Sequence, residues 1–241
     1  MKPVQSIGLA VVLLLGCVVG AALANQTYME ITFDDKAIDQ PIGEGGMTVG
    51  EPDFVDSRIE AIVRSSPFAT PSLEIHSTVS TGNPTIWFNY AGSGITSGLV
   101  VIIMDLWLYG SGPGWESYWT IYTPNFQNLM EFRFLSDGRI HIDGAGTDAY
   151  VPSYPIGRSF PVLIALDMDT DTFSVWMDET QYVENQPLRL EDREFGAIWF
   201  AAGASIADEN RVFIDQIRVI DWMSEVPIVE TTWGRVRALY R

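Results

Sequence analysis

Between Asn25 and Asp221 the chain runs in short apolar-rich segments bounded by Gly, Pro, Asn and Asp, and several of them alternate by twos. In Ser72–Thr78, Leu73 and Ile75 fall on one side while Glu74 and His76 fall on the other. In the last segment Val212, Ile214, Gln216 and Arg218 oppose Phe213, Asp215, Ile217 and Val219. A period of two puts successive side chains on opposite faces of a β-strand. The pattern predicts strands at Met29–Phe33, Arg58–Val63, Ser72–Thr78, Thr85–Tyr90, Gly98–Tyr109 and Ser117–Thr123. It predicts further strands at Met130–Leu135, Arg139–Asp143, Pro161–Asp167, Thr172–Asp178, Gly196–Ala201 and Val212–Ile220. Two connections are specific. Ser136-Asp137-Gly138 joins one pair of strands, with glycine supplying the positive φ, and Asp167 to Asp171 is a polar turn between two apolar strands. No stretch of the body shows a sustained helical period. The expectation is an all-β, two-sheet antiparallel jelly-roll sandwich with little helix, forming one domain over residues 25–221.

The two ends differ from this body. Lys2 precedes an uncharged apolar run, Ile7 to Val19, and Ala22-Leu23-Ala24 is a small-x-small signature before Asn25. That order predicts a secretory leader over residues 1–24, too short in its apolar part for a membrane span. Leu14-Leu15-Gly16-Cys17 offers the alternative of lipidation at Cys17. Export, to the periplasm or the extracellular space, is expected either way. Residues 222–241 form a linker with Pro227 and a short basic tail: Thr231 to Arg241 carries three arginines and no acid. As a helix capped by Thr232, the tail would gather Trp233, Val236 and Tyr240 on one side. So short a helix needs a surface to dock on, either its own acidic sandwich or a cell-surface partner.

Charge and composition narrow the functions. The 241 residues carry 14 bases and 31 acids, a net charge of −17. That balance excludes nucleic acid and other polyanions as partners. Cysteine occurs once, within the predicted leader, so the mature chain has no thiol chemistry, no disulfide and no CxxC metal site.

A longer pattern then emerges. Phe33-Asp34-Asp35 closes the opening strand, and the long apolar strand Gly98 to Trp107 follows. After it come the hairpin Met130 to Ile142, the strand–acidic turn–strand unit Phe160 to Asp178, and the closing Val212-Phe-Ile-Asp-Gln-Ile-Arg-Val219. This order resembles the laminin-G-like and concanavalin-A-like jelly rolls across Tyr28 to Asp221, although Glu179 stands where those families usually have glycine. The resemblance implies a sandwich that binds glycan or protein, sometimes with calcium at its rim. By that resemblance a structural calcium ion would sit at Asp34 or Asp35 beside Asp215, because the first and last strands of such folds often pair. The same architecture also hosts glycosidases and polysaccharide lyases, so fold alone does not decide activity.

Candidate chemistry is sparse. No E-x-D-x-x-E strand, G-x-S-x-G, H-E-x-x-H or phosphate loop occurs. Asp167, Asp169, Asp171 and Asp178 have the spacing of a calcium loop, but Thr172 stands where its glycine is needed, and an ordinary acidic turn is expected. Arg139 and His141 would share one strand face, as surface residues or as part of a lyase-like set. For a sugar, whose C–H faces stack on aromatic planes, the candidates are Trp115, Tyr118 and Tyr122 beside the loop Gly110 to Gly114, with Trp119 and Ile121 turned to the core. A second aromatic cluster is Trp87-Phe88-Asn89-Tyr90. The sequence therefore points to a monomeric, noncatalytic glycan- or polysaccharide-recognition module. An adhesive envelope protein and a polysaccharide-degrading enzyme are its alternatives.

Overall fold

The computed structural model describes residues 27–39, 54–55, 59–77, 85–90, 94–109, 117–135, 137–145, 148–178, 180–190, 194–201 and 211–222. Among them are fifteen strands and no helix. In chain order they are β1 (Thr27–Thr32), β2 (Phe54–Val55), β3 (Ile59–Arg64), β4 (Ser72–Ser77), β5 (Thr85–Asn89), β6 (Leu99–Tyr109), β7 (Ser117–Tyr122) and β8 (Asn128–Phe134). They continue as β9 (Ile140–Asp143), β10 (Asp148–Val151), β11 (Ser159–Asp167), β12 (Thr172–Met177), β13 (Thr180–Pro187), β14 (Ala197–Ala201) and β15 (Arg211–Trp222).

Two antiparallel sheets form the sandwich. One runs β13-β12-β11-β6-β15-β4-β3, with β1 added to β15, and the other runs β10-β9-β8-β7-β14-β5-β2. The first and last strands therefore pair, as expected. One edge of the long β15 is shared: Val212 to Ile214 pairs with β4, and Gln216 to Ile220 pairs with β1. A register shift between Ile214 and Ile217 lies at that changeover, on β15's other edge against β6. It puts Asp215 and Gln216 between the inward Ile214 and Ile217.

The alternation read from the sequence decides which side chains fill the space between the sheets. Ile102, Met104 and Leu106 of β6, Val162 and Ile164 of β11, and Ile217 and Val219 of β15 face Ile86 and Phe88 of β5, Trp119 and Ile121 of β7, and Ile198 and Phe200 of β14. Trp119 lies parallel to Phe132 at 5.9 Å and meets Phe200 at 4.8 Å. Burying each such side chain contributes about 1.5–3 kcal/mol, which only continuous inward rows can supply. The Asp137-Gly138 turn joins β8 to β9 with Gly138 at φ 85°, and the Asp167 to Asp171 turn joins β11 to β12. In that second turn the Asp167 carboxylate accepts from the backbone N–H groups of Asp169 and Thr170, both at 3.0 Å, an ordinary acidic turn.

The three strands absent from the expectation, β2, β10 and β13, all sit at sheet edges. β13 buries Val183 alone among its first five residues, so its sequence carries almost no apolar alternation. Glu74 also departs from the expectation. It points away from the core yet is buried, held by Arg64 at 2.7 Å and Arg211 at 2.9 Å, with His76 at 3.5 Å.

Candidate functional site

The outer face of the seven-stranded sheet gathers the residues that are out of phase with the core. Because Ile86 and Phe88 point inward on β5, Trp87 points outward, and because Ile198 and Phe200 point inward on β14, so does Trp199. Antiparallel register then lines up three rows across the strands. Trp87, Trp199, Thr120, Glu131 and Asp143 are successive register partners. So are Ala201, Tyr118, Arg133, His141 and Tyr150. A third row holds Asn89, Ala197, Tyr122 and Asn128.

One end of this face is aromatic. The Trp87 ring lies 5.2 Å from Tyr122, 5.9 Å from Trp199 and 5.2 Å from Phe126, and Tyr122 meets Trp199 edge-on at 5.9 Å. Phe126 is 61% exposed and is carried on the turn after β7 in the left-handed region, at φ 59°. The turn is closed by the Phe126 N–H on the Thr123 carbonyl (3.0 Å) and the Gln127 N–H on the Thr123 hydroxyl (3.0 Å). It is positioned by Gly196, whose N–H donates to the Tyr122 carbonyl at 2.8 Å. A Cβ there would stand 2.2 Å from the Pro124 nitrogen.

The other end is polar. Glu131 is buried, accepts from the Thr120 hydroxyl at 3.3 Å, and is bonded by Arg133. Its register partner Asp143 is bonded by Arg189. The Arg133 guanidinium stands 5.1 Å over the Tyr118 ring. His141 stacks on Tyr150 at 4.8 Å, and Arg139 lies 4.9 Å over that same ring. Burial, and secondarily the Glu131 charge, raises the Tyr122 hydroxyl above the ordinary tyrosine range, so it is a neutral hydrogen-bonding group on this face.

Of the ligand residues read from the sequence, Tyr118 and Tyr122 are on this face, half-buried, while Trp119 and Ile121 are in the core. Trp115 lies outside the described residues, as do residues 1–26 and 223–241. Arg139 and His141 do share a face, and both meet Tyr150. Trp199, Phe126, Glu131, Arg133, Asp143 and Tyr150 were not singled out by the sequence reading. For Trp199 the signal was present in the alternation itself.

The carboxylates considered for calcium come only partly together. Asp215 accepts from the Thr70 hydroxyl at 2.6 Å, and burial, with Asp34 as a lesser cause, raises its pKa. Asp35 is 3.5 Å from Lys36. Among the described residues no three His, Cys, Asp or Glu side chains converge as a metal-ligand set, and calcium requires six to eight oxygens. A cavity of about 490 Å³ lies on the other sheet, lined by Arg64, Arg211, Glu74, Asp39 and Phe213. Its guanidiniums already meet Glu74 and Asp39, so it is built around an internal ion-pair network.

No protein-family profile and no curated protein sequence matches the chain. Solved structures do. The chain is similar to the catalytic domain of a glycoside hydrolase family 131 protein from Coprinopsis cinerea (TM-score 0.56, 10% identity), covering 85% of this chain and 97% of that one. It is similar to the binding domain of botulinum neurotoxin serotype D (TM-score 0.55, 11% identity), covering 89% of this chain and 51% of that one. It is also similar to a carbohydrate esterase from Shiga toxin-encoding bacteriophage phi24B (TM-score 0.54, 8% identity), covering 82% of this chain and 99% of that one. Sialidases match at lower TM-scores, and the chain spans 17% of the first of them. These likenesses establish a shared β-sandwich fold and nothing finer.

Proposed function

We propose that the mature chain is an exported, monomeric recognition module that binds polysaccharide on the outer face of its seven-stranded sheet without cleaving it. The observation that carries this reading is the aromatic group Trp87, Trp199, Tyr122 and Phe126 beside the hydrogen-bonding row Thr120, Glu131 and Asp143, with Arg133 of the next row bonded to Glu131. Aromatic planes accept the C–H faces of sugar rings, and fixed carboxylates and guanidiniums bond their hydroxyls. Each carboxylate of the pair is engaged by its own arginine, an arrangement suited to holding a ligand. The three solved structures above whose names include a hydrolase, an esterase and a binding domain accord with a carbohydrate or surface ligand. The test is retention of the mature protein on a panel of insoluble polysaccharides, with and without calcium. Retention that Trp87→Ala with Trp199→Ala removes supports the reading, and equal retention of that variant overturns it.

One observation favours a second reading. Glu131 and Asp143 are direct register partners on one sheet face, and opposed residues of an antiparallel pair stand about 5 Å apart at Cβ. A retaining glycosidase needs its two carboxyl groups about 5 Å apart, a separation that side chains rooted on opposed residues of one face can reach. Release of reducing ends from a bound polymer, lost in both Glu131→Gln and Asp143→Asn, would establish hydrolysis and displace the noncatalytic reading.

A further inference from the structure

The outer face of the eight-stranded sheet carries a second apolar cluster that has no part in the core. Val101 and Ile103 of β6, Leu163 and Ala165 of β11, Trp176 of β12 and Ile220 of β15 form it, with Leu99 packed against it. Register joins them across four neighbouring strands: Trp176 opposes Leu163, Leu163 opposes Ile103, Ala165 opposes Val101, and Val101 opposes Ile220. The partner sheet lies on the opposite side, where Ile102, Val162, Ile164 and Val219 point. Yet these outward side chains are only 0–7% exposed, Ile103 not at all, and no described strand lies over them. A flat, fully open sheet face would leave such residues wet.

We propose that the C-terminal segment Thr231 to Arg241 docks in cis across this patch as a short amphipathic helix. Three features of the chain select this occupant. β15 ends at Trp222, register partner of Leu99, so the following chain departs from the patch's own border. The eight residues 223–230 span up to about 26 Å, enough to reach any part of a patch that is roughly 15 Å across its four strands. The eleven residues of the tail make a helix of about 16 Å, which matches it.

Polarity matches as well. Trp233, Val236 and Tyr240 would form the apolar stripe, with Arg237 and Arg241 along one border of it and Arg235 on the opposite side of the helix. Asp167 follows Ala165 by two residues on β11, so the same sheet face carries a carboxylate at the border of the patch, while Arg218 of β15, register partner of Ile103, shares that face and is paired with Glu30. The docked tail converts an adhesive-looking sheet face into a closed one and leaves the aromatic face as the surface for ligand.

Hydrogen exchange of the mature full-length chain, followed by mass spectrometry with dye binding and light scattering, tests this. The expected result is a monomer whose 232–241 amides exchange about tenfold or more slowly than in an unstructured peptide. In Trp233→Ser with Val236→Ser that protection is lost, and 8-anilinonaphthalene sulfonate fluorescence rises several-fold while melting stays cooperative. These changes lie in the tail, so the sandwich itself is not disturbed. Tail amides at unstructured rates in the wild type overturn the proposal; a dye-bright patch would then belong to an outside protein. Protection confined to concentrations at which dimers form overturns it in favour of a second copy. A patch that is dark to dye only in the uncleaved precursor overturns it in favour of the leader.

Discussion

Trp87 and Trp199 stand directly opposite each other on neighbouring strands, ring centroids 5.9 Å apart and tilted by 50°, both turned away from the core. Two indoles on a half-exposed sheet face contribute little to folding that smaller β-formers could not, and much to a ligand with apolar ring faces. Trp87→Ala and Trp199→Ala are each expected to weaken polysaccharide binding roughly tenfold, the equivalent of about 1.4 kcal/mol. Each should cost the fold only about 1 kcal/mol from the aromatic pair. Affinity electrophoresis paired with urea unfolding measures both. A loss of stability much above 3 kcal/mol would mean that the rings belong to the core.

Phe126 separates binding from folding more sharply. It is a bulky residue in the left-handed region, which costs an L-residue about 1–2 kcal/mol, and it is mostly exposed. Phe126→Asn should therefore leave stability unchanged or raise it by up to about 1 kcal/mol while weakening polysaccharide binding. Gly196→Ala should lower both, because its new methyl meets the Pro124 and Thr123 backbone and must displace the turn that carries Phe126. A cost of about 1–3 kcal/mol is expected for that overpacking. Differential scanning calorimetry and retention on polymer distinguish the two variants.

The alternation in the sequence carries the sheet faces, and with them half of the site. Tyr118 and Tyr122 separate from Trp119 and Ile121 by period two alone, and the same rule applied to Ile198-Trp199-Phe200 would have exposed Trp199. Which strands neighbour one another is not in that pattern. β14 follows β13 in the chain yet lies between β7 and β5 in the other sheet, and only this placement brings Trp199 to Trp87 and Tyr122. Glu131 and Asp143 lie on strands joined by a tight turn, so their opposition could be counted from the Asp137-Gly138 hairpin. Glu74 misleads because alternation assigns it outward, and burial comes from the arginines of β3 and β15 that cover it. Edge strands such as β13 leave a weak trace because one face of an edge strand buries few side chains.

Glu74 should matter for stability and not for ligand. Its side chain is 3% exposed and faces Arg64 and Arg211, so removing the carboxylate leaves two guanidiniums around a buried site. Breaking one partner of a buried ion pair costs about 3–5 kcal/mol. Glu74→Gln is expected to lose roughly that amount in urea unfolding while the remaining folded protein still binds polysaccharide as the wild type does. Loss of binding with intact stability would move the ligand to the cavity beside Arg64.

Asp105 gives a prediction with a definite sign in pH. Burial on the outer face of β6, assisted by the charge of Asp215, raises its pKa, and the hydrogen bond from Gln216 at 3.1 Å only partly offsets this. An acid whose pKa is raised on folding binds its proton more tightly in the native state than in the unfolded chain. Its contribution to stability therefore falls as pH rises from the unfolded value, about 3.9, through the raised native value, and stays low at neutral pH. Asp215, raised mainly by its own burial, acts in the same direction. Asp105→Asn keeps an acceptor for Gln216 and removes the buried charge, so it should raise the melting temperature at pH 7, by roughly 2–4 °C for each kcal/mol recovered in a chain of this size. The advantage should shrink as pH falls through the raised native value, where the wild-type carboxyl takes up its proton. Melting curves of both proteins from pH 4 to pH 8 decide it: a gain that is constant across the series, or largest at acid pH, would show that charge burial at Asp105 is not its cause.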